Sequence, residues 1–234
     1  MVNSITPVIF PHILVNTFRV GEREVIFYGF KDWQKLPLIA LFSDRNLDFK
    51  DGKEKDWLCK ILGIKEESIV IPHQKHEGKA DLVDGSDRKK LFSCDALVTS
   101  GSHIAMGVLT ADCLSLFLYD PEHAAVGIVH AGWRGSSLGI AKNCVEMMKR
   151  KFLTEPEYLK IAIGPGIRKC CFEVKADLLE HFPEYIEKRE GRLFLDPVAV
   201  NIKQLVSLGV KKENIIDSEI CSVCHKDKFF SYRH

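Results

Sequence analysis

TADCLSLFLYDPEHAAVGIVHAGWRG, residues 110–135, is the stretch on which the fold of this chain turns. Two apolar runs of strand length, LSLFLY (114–119) and AAVGIV (124–129), flank Asp120-Pro121-Glu122-His123, residues that suit a tight connection. Runs that are apolar at nearly every position suit strands covered on both faces, so this pair belongs inside a layered structure. A third such run, IAMGVL (104–109), comes just before. Downstream, Gly135-Ser136-Ser137 leads into LGIAKNCVEMMKRKF, where Leu138, Ala141, Val145, Met148 and Phe152 recur at helical spacing. That pattern predicts a helix with a serine cap.

On the amino-terminal side, ILVNTFRV (13–20), EVIFYGF (24–30) and LPLIALFS (36–43) are rich in β-branched and aromatic residues and read as strands. A short helix is predicted at KDWLCKIL (55–62), and SIVIP (68–72) reads as a strand entering the loop HQKHEGKAD (73–81). On the carboxy-terminal side, YLKIAIG (158–164) predicts a strand ending in the turn Gly164-Pro165-Gly166. VKADLLEHF and AVNIKQLVSLG read as amphipathic helices, the second stopped by Gly209. Strands and helices mix without a regular βαβ alternation, and no linker or repeat divides the chain. The expectation is an α+β fold: a single domain over residues 1–234, a sandwich of mixed sheets flanked by helices.

Composition narrows the function classes. Of the 234 residues, 46% are apolar and 28% charged, ordinary for a soluble globular enzyme. A net charge of +1 offers no global attraction to nucleic acid or to an acidic membrane. The basic runs Arg88-Lys89-Lys90 and Lys149-Arg150-Lys151 read as solvated faces. No apolar run approaches the ~20 residues of a membrane span. The start has no basic region and is broken by Pro7 and Pro11, so it does not read as a signal peptide. A cytoplasmic location follows, with the eight cysteines reduced. Cys221, Cys224 and His225 spell the C-x-x-C-H of haem attachment, but that chemistry belongs to exported chains, so the pattern reads as coincidental.

Three segments each put a metal-ligand side chain where a strand meets a loop: His76 in HQKHEG, Cys113 in TADC and His130 in VHAGWRG. Taken singly, each has a bland reading as a core cysteine or a surface histidine. Arg134 precedes the helix expected to begin at Ser136 or Ser137, where unpaired N–H groups favour an anion. The alternative is that Arg134 pairs with Asp112 or Asp120. Trp133 could stack a base or simply pack in the core.

With HQKHEG, DALVTS, IGPGIRKCCFEV and CSVCHKDKFFSYR added, the chain resembles the multicopper polyphenol oxidase (laccase-like) family. That family is also described as zinc-dependent purine nucleoside phosphorylases and as peptidoglycan editing factors. The resemblance covers roughly residues 68–233. It implies that His76, Cys113 and His130 are the metal ligands, that Gln74 of the family's Q-x-H segment binds substrate or anion, and that Asp112 of its ADC is catalytic. The Cys221 and Phe229–Arg233 positions match the family's carboxy-terminal cysteine and FFSYR, which brings Arg233 to the substrate side. Arg45 in FSDRN corresponds to the arginine of an amino-terminal TTR-like segment, which puts it, like Arg134 and Ser136, among the expected substrate- or anion-binding residues. Relatives continue beyond the position of His234 into a further strand.

Two imidazoles and one thiolate suit Zn²⁺, and Cu²⁺ would bind by affinity order. Three protein ligands leave a fourth vertex open, the arrangement of catalytic zinc, at which the pKa of water falls to about 7. His73 and His103 are the candidates for a fourth ligand that would close the site. The resemblance implies phosphorolysis of purine nucleosides, including methylthioadenosine, with nucleoside and phosphate as partners, and deamination of adenosine, with Asp112 a candidate for proton transfer. Competing readings are a Cys113–His130 hydrolase or amidase acting on peptidoglycan precursors, a copper-dependent phenol oxidase, and a non-catalytic metal clamp. The sequence leaves the oligomeric state open.

Overall fold

A computed structural model describes residues 12–20, 23–49, 53–84 and 91–233. The readings of the first eleven residues, of Arg88-Lys89-Lys90 and of His234 lie outside the described residues. In chain order the elements are β1 (Ile13–Val20), β2 (Arg23–Phe30), β3 (Leu41–Ser43), α1 (Lys53–Leu62), β4 (Ile69–Val70), β5 (Ala80–Leu82), β6 (Ala96–Thr99) and β7 (Ala105–Met106). Then come β8 (Leu114–Asp120), β9 (Ala125–Ala131), α2 (Trp133–Ser137), α3 (Ile140–Phe152), β10 (Lys160–Ile163), β11 (Glu173–Val174), β12 (Ile186–Arg189), β13 (Arg192–Leu195), α4 (Pro197–Ser207) and β14 (Ile215–Asp217). The fold is a mixed α+β arrangement, as the sequence led us to expect.

Its centre is a six-stranded sheet in the order β14-β10-β8-β9-β6-β5. The β8–β9 hairpin lies in the middle, antiparallel, with Ser115 opposite His130 and Phe117 opposite Ile128. Asp120 closes the turn by accepting from the N–H groups of Glu122 and His123. Alternation along β8 sorts its side chains into two cores. Leu114, Leu116 and Leu118 face Ala141, Val145 and Met148 of α3. Phe117 and Tyr119 face the opposite way, against Tyr28 and Phe30 of the β1-β2-β3 sheet. Both faces are covered, which explains why the run is apolar at nearly every position.

Several expectations are corrected. LPLIALFS pairs only at β3, because residues 36–38 bend, 39–40 are irregular, and Pro37 has no N–H to give a ladder. IAMGVL contributes only Ala105 and Met106 to a short parallel pair with β4 and stays outside the central sheet. SIVIP likewise pairs only at Ile69–Val70. VKADLLEHF forms a 3₁₀ turn over Ala176–Glu180 rather than an α-helix. The predicted serine-capped helix is divided: Gly139, at φ 71°, separates α2 from α3 and is itself the residue before α3, which has no side-chain cap. The α4 helix does stop at Gly209, at φ 100°. Lys149, Arg150 and Lys151 occupy the last turn of α3, a favourable place for cations.

Candidate metal centre

The ends of the central hairpin position two of the expected ligands. Cys113 immediately precedes β8 and His130 is the penultimate residue of β9. His76 comes from the loop between β4 and β5. The ligand atoms of His76, Cys113 and His130 all lie within 4.8 Å of one another. The two imidazole rings meet edge to face, with centroids 4.7 Å apart. Neither His73 nor His103 joins the cluster, so three ligands converge among the described residues.

Asp95, fully buried just before β6, organises this convergence. Its carboxylate accepts from the N–H groups of Lys75, His76 and Glu77 at 3.1, 2.9 and 2.9 Å, and it meets His130 Nδ1 at 2.8 Å. One side chain thus shapes the loop that carries His76 and fixes the ring of His130. Burial would push the Asp95 carboxyl up, but the hydrogen bonds from Glu77, His130, His76 and Lys75 hold it below the usual carboxylate range. Burial lowers the His130 imidazole below its ordinary value, with His76 adding to this and the Asp95 hydrogen bond opposing it. A neutral imidazole with Nδ1 engaged leaves Nε2 for an ion, a common arrangement behind metal-bound histidine.

The backbone is bent to suit. His76 and Asp112 adopt φ 59° and 83°, in the sparsely occupied left-handed region. At Gly132 a Cβ would stand 3.0 Å from Cys113 Sγ and 3.2 Å from His76 Cδ2, so the two ligands crowd a backbone with no side chain. Burial, followed by the Asp112 and Asp95 charges, pushes the Cys113 thiol up to about 11. A cation at the cluster would reverse that penalty. The donor set, the oriented His130 and the tight cradle therefore fit a divalent ion.

The other expected residues divide into two groups. Arg134, Arg233 and Trp133 line the same cavity of about 1560 Å³ as the three ligands. Arg134 lies 4.5 Å over the Trp133 ring, and Arg233 lies 5.2 Å over Phe172. Arg134 belongs to the first turn of the five-residue α2, not to the approach to a long helix, so the helix-terminus argument for it falls. Nor does it pair with Asp112 or Asp120, whose carboxylates bond elsewhere.

Gln74 lines the cavity, yet its amide is spent on the N–H and C=O of Leu109, at 2.7 and 2.8 Å. Asp112, expected as a proton carrier, accepts from Ser222 Oγ at 2.7 Å and from Ser231 Oγ and the Arg233 N–H at 3.1 Å each. It is a tether for the carboxy-terminal segment. Ser136, 1% exposed, is bonded to Asn201 and Gln204 of α4 and cannot reach an anion in the cavity. Arg45 does not line the cavity; its Nη1 and backbone N–H donate to the carbonyls of Lys226 and Lys228. Cys224 is no coincidence of sequence: it gathers with Cys170, Cys171 and Cys221 into a second cluster.

Sequence reasoning missed Asp95, although its signal was present: a lone carboxylate directly before the apolar run Ala96-Leu97-Val98 of a wholly buried strand.

A family model described as multi-copper polyphenol oxidoreductase laccase matches residues 46–234. The chain is similar to adenosine deaminase RL5 from an unknown prokaryotic organism, at 35% identity over 193 residues, covering 75% of this chain and 73% of that protein. It is similar to a purine nucleoside phosphorylase of Aquifex aeolicus, at 33% identity over 186 residues, covering 76% and 86% respectively. Among solved structures, YlmD from Geobacillus stearothermophilus matches with a TM-score of 0.75 at 26% identity, over 96% of this chain and 87% of that one.

Proposed function

The chain belongs to the multi-copper polyphenol oxidoreductase laccase family, and from that premise we propose that it is a zinc-dependent purine nucleoside phosphorylase that also deaminates adenosine. The observation that carries this reading is the convergence of His76, Cys113 and His130 on the wall of a cavity that two arginines share. Relatives named for phosphorolysis and for deamination both support it.

Two imidazoles and a thiolate form a borderline-soft set that favours zinc. Held by His76, Cys113 and His130, a zinc ion would supply Lewis acidity to the reaction. The residues do the rest. Asp95 keeps His130 oriented, and Gly132 lets the ligands close up. Arg134 and Arg233 offer forked donors to phosphate, whose oxygen forms a bond to the ribose C1′ while the bond from C1′ to the base breaks. The electron pair leaves with the base, which lies against the apolar wall that includes Ile71, Met106 and Trp133. The same wall suits the thioether of methylthioadenosine. We place the reaction in the cytoplasm, where the eight free cysteines stay reduced.

One observation favours a second reading. Asp95, His130 and Cys113 are arranged as orienter, base and nucleophile, as in a cysteine hydrolase. The buried thiol, pushed up to about 11, counts against it in the metal-free chain. Phenol oxidation by several coppers has no support from the ligands, since the described residues gather only one histidine-containing cluster.

The test is to incubate zinc-loaded protein with adenosine, with and without phosphate. Adenine and ribose 1-phosphate are expected only with phosphate, and inosine in either case. If the His130→Ala protein gives the same products at the same rate, or the wild type gives none, the proposal is wrong.

A further inference from the structure

The loop after β10 and the carboxy-terminal segment run side by side. The Gly166 N–H donates to the Ile220 carbonyl at 3.2 Å, and the Ser222 N–H donates to the Gly166 carbonyl at 3.1 Å. This pairing collects the sulfurs of Cys170, Cys171, Cys221 and Cys224 within 4.8 Å of one another. Cys171 and Cys224 stand 3.5 Å apart, and Cys170 and Cys224 stand 3.8 Å apart. Four sulfurs bound to one tetrahedral zinc at ~2.3 Å must lie about 3.8 Å from each other. A disulfide needs about 2.05 Å. An iron–sulfur cluster spreads its thiolates over several irons and would hold them farther apart.

An independent observation lies beside the cluster. Arg168 is 9% exposed, and its Nη2 donates to Asp217 at 2.7 Å, to the Gly164 carbonyl at 3.0 Å and to Ser218 at 3.2 Å. Its Nε and Nη1 are buried with no hydrogen-bond partner. Such donors are costly unless something anionic answers them. The charge of Arg168 acts on Cys221 and Cys170. A tetrathiolate–zinc unit is a dianion, the charge that would answer such a cation.

We propose that Cys170, Cys171, Cys221 and Cys224 hold a structural zinc ion with all four vertices filled. The ion staples the loop after β10 to the segment carrying Ser222, Ser231 and Arg233, which together grip Asp112, the neighbour of Cys113. It thereby fixes one wall of the cavity without touching what enters it.

The test uses the His130→Ala chain, purified with a thiol reductant, so that the histidine-containing centre is disabled. Metal counting should find one zinc per chain, and X-ray absorption at the zinc edge should find sulfur alone, at about 2.3 Å. Adding Cys171→Ser and Cys224→Ser should remove it. A His130→Ala chain without zinc, or zinc that survives both serine substitutions, overturns the proposal; so do alkylation masses that show the four cysteines joined as disulfides. If the serine variants fail to fold, the wild type decides: two zincs with sulfur to nitrogen near five to two support the site, and one zinc near one to two overturns it.

Discussion

The two cysteine-containing clusters of this chain differ in how they are built and in where they lie. One gathers two histidines and Cys113 at the end of the central hairpin, in the wall of a large cavity, and has three ligands. The other gathers four cysteines between a loop and the carboxy-terminal segment, with Cys170 and Cys224 exposed. Three ligands leave room for a reactant, whereas four leave none. The difference extends to what surrounds them. A buried carboxylate, Asp95, orients the first; a buried cation, Arg168, accompanies the second. Charge around a site thus follows the charge the ion and its ligands would carry together.

That contrast predicts unequal responses to substitution. The largest effect is expected at His130→Ala, which should reduce nucleoside cleavage to background in a product assay while leaving one zinc on the four cysteines. Next is Asp95→Asn, which deprives His130 and three backbone N–H groups of a charged acceptor. It should cost about 10–100-fold in zinc affinity at the first cluster, read by chelator competition. Gly132→Ala should weaken the same cluster by about tenfold, because its Cβ would stand 3.0 Å from the Cys113 sulfur, and should leave the second cluster loaded. Smallest is Ser222→Ala, which removes one hydrogen bond to Asp112 and leaves both ligand sets intact. It should lower unfolding free energy by about 1.5–3 kcal/mol in a denaturant titration and change cleavage only a few-fold.

Much of this arrangement is legible in the residues. The apolar runs of β8 and β9 predict a doubly covered sheet, and they form its centre because α3 and the β1-β2-β3 sheet cover opposite faces. His76, Cys113 and His130, marked by position and by family resemblance, do converge. What local pattern did not show depended on partners distant in sequence. Ser136 reads as a cap until Asn201 of α4 arrives to bury it. Gln74 reads as a ligand-binding amide until Leu109 takes both its groups. Asp112 reads as a proton carrier, whereas Ser222, Ser231 and Arg233 all donate to it from more than a hundred residues away. Cys224 reads as incidental because the Cys170–Cys171 pair that completes its cluster lies 53 residues upstream. A local pattern reports which element a residue occupies, but not which neighbour occupies its hydrogen bonds.

The most direct measurement is an anomalous diffraction map at the zinc absorption edge from crystals grown with zinc and phosphate. A peak is expected about 2.3 Å from Cys113 Sγ and about 2.0–2.1 Å from a nitrogen of His76 and of His130, with no fourth protein ligand. Absence of that peak in crystals with zinc bound elsewhere, or a fourth side chain closing the tetrahedron, would contradict an open catalytic centre.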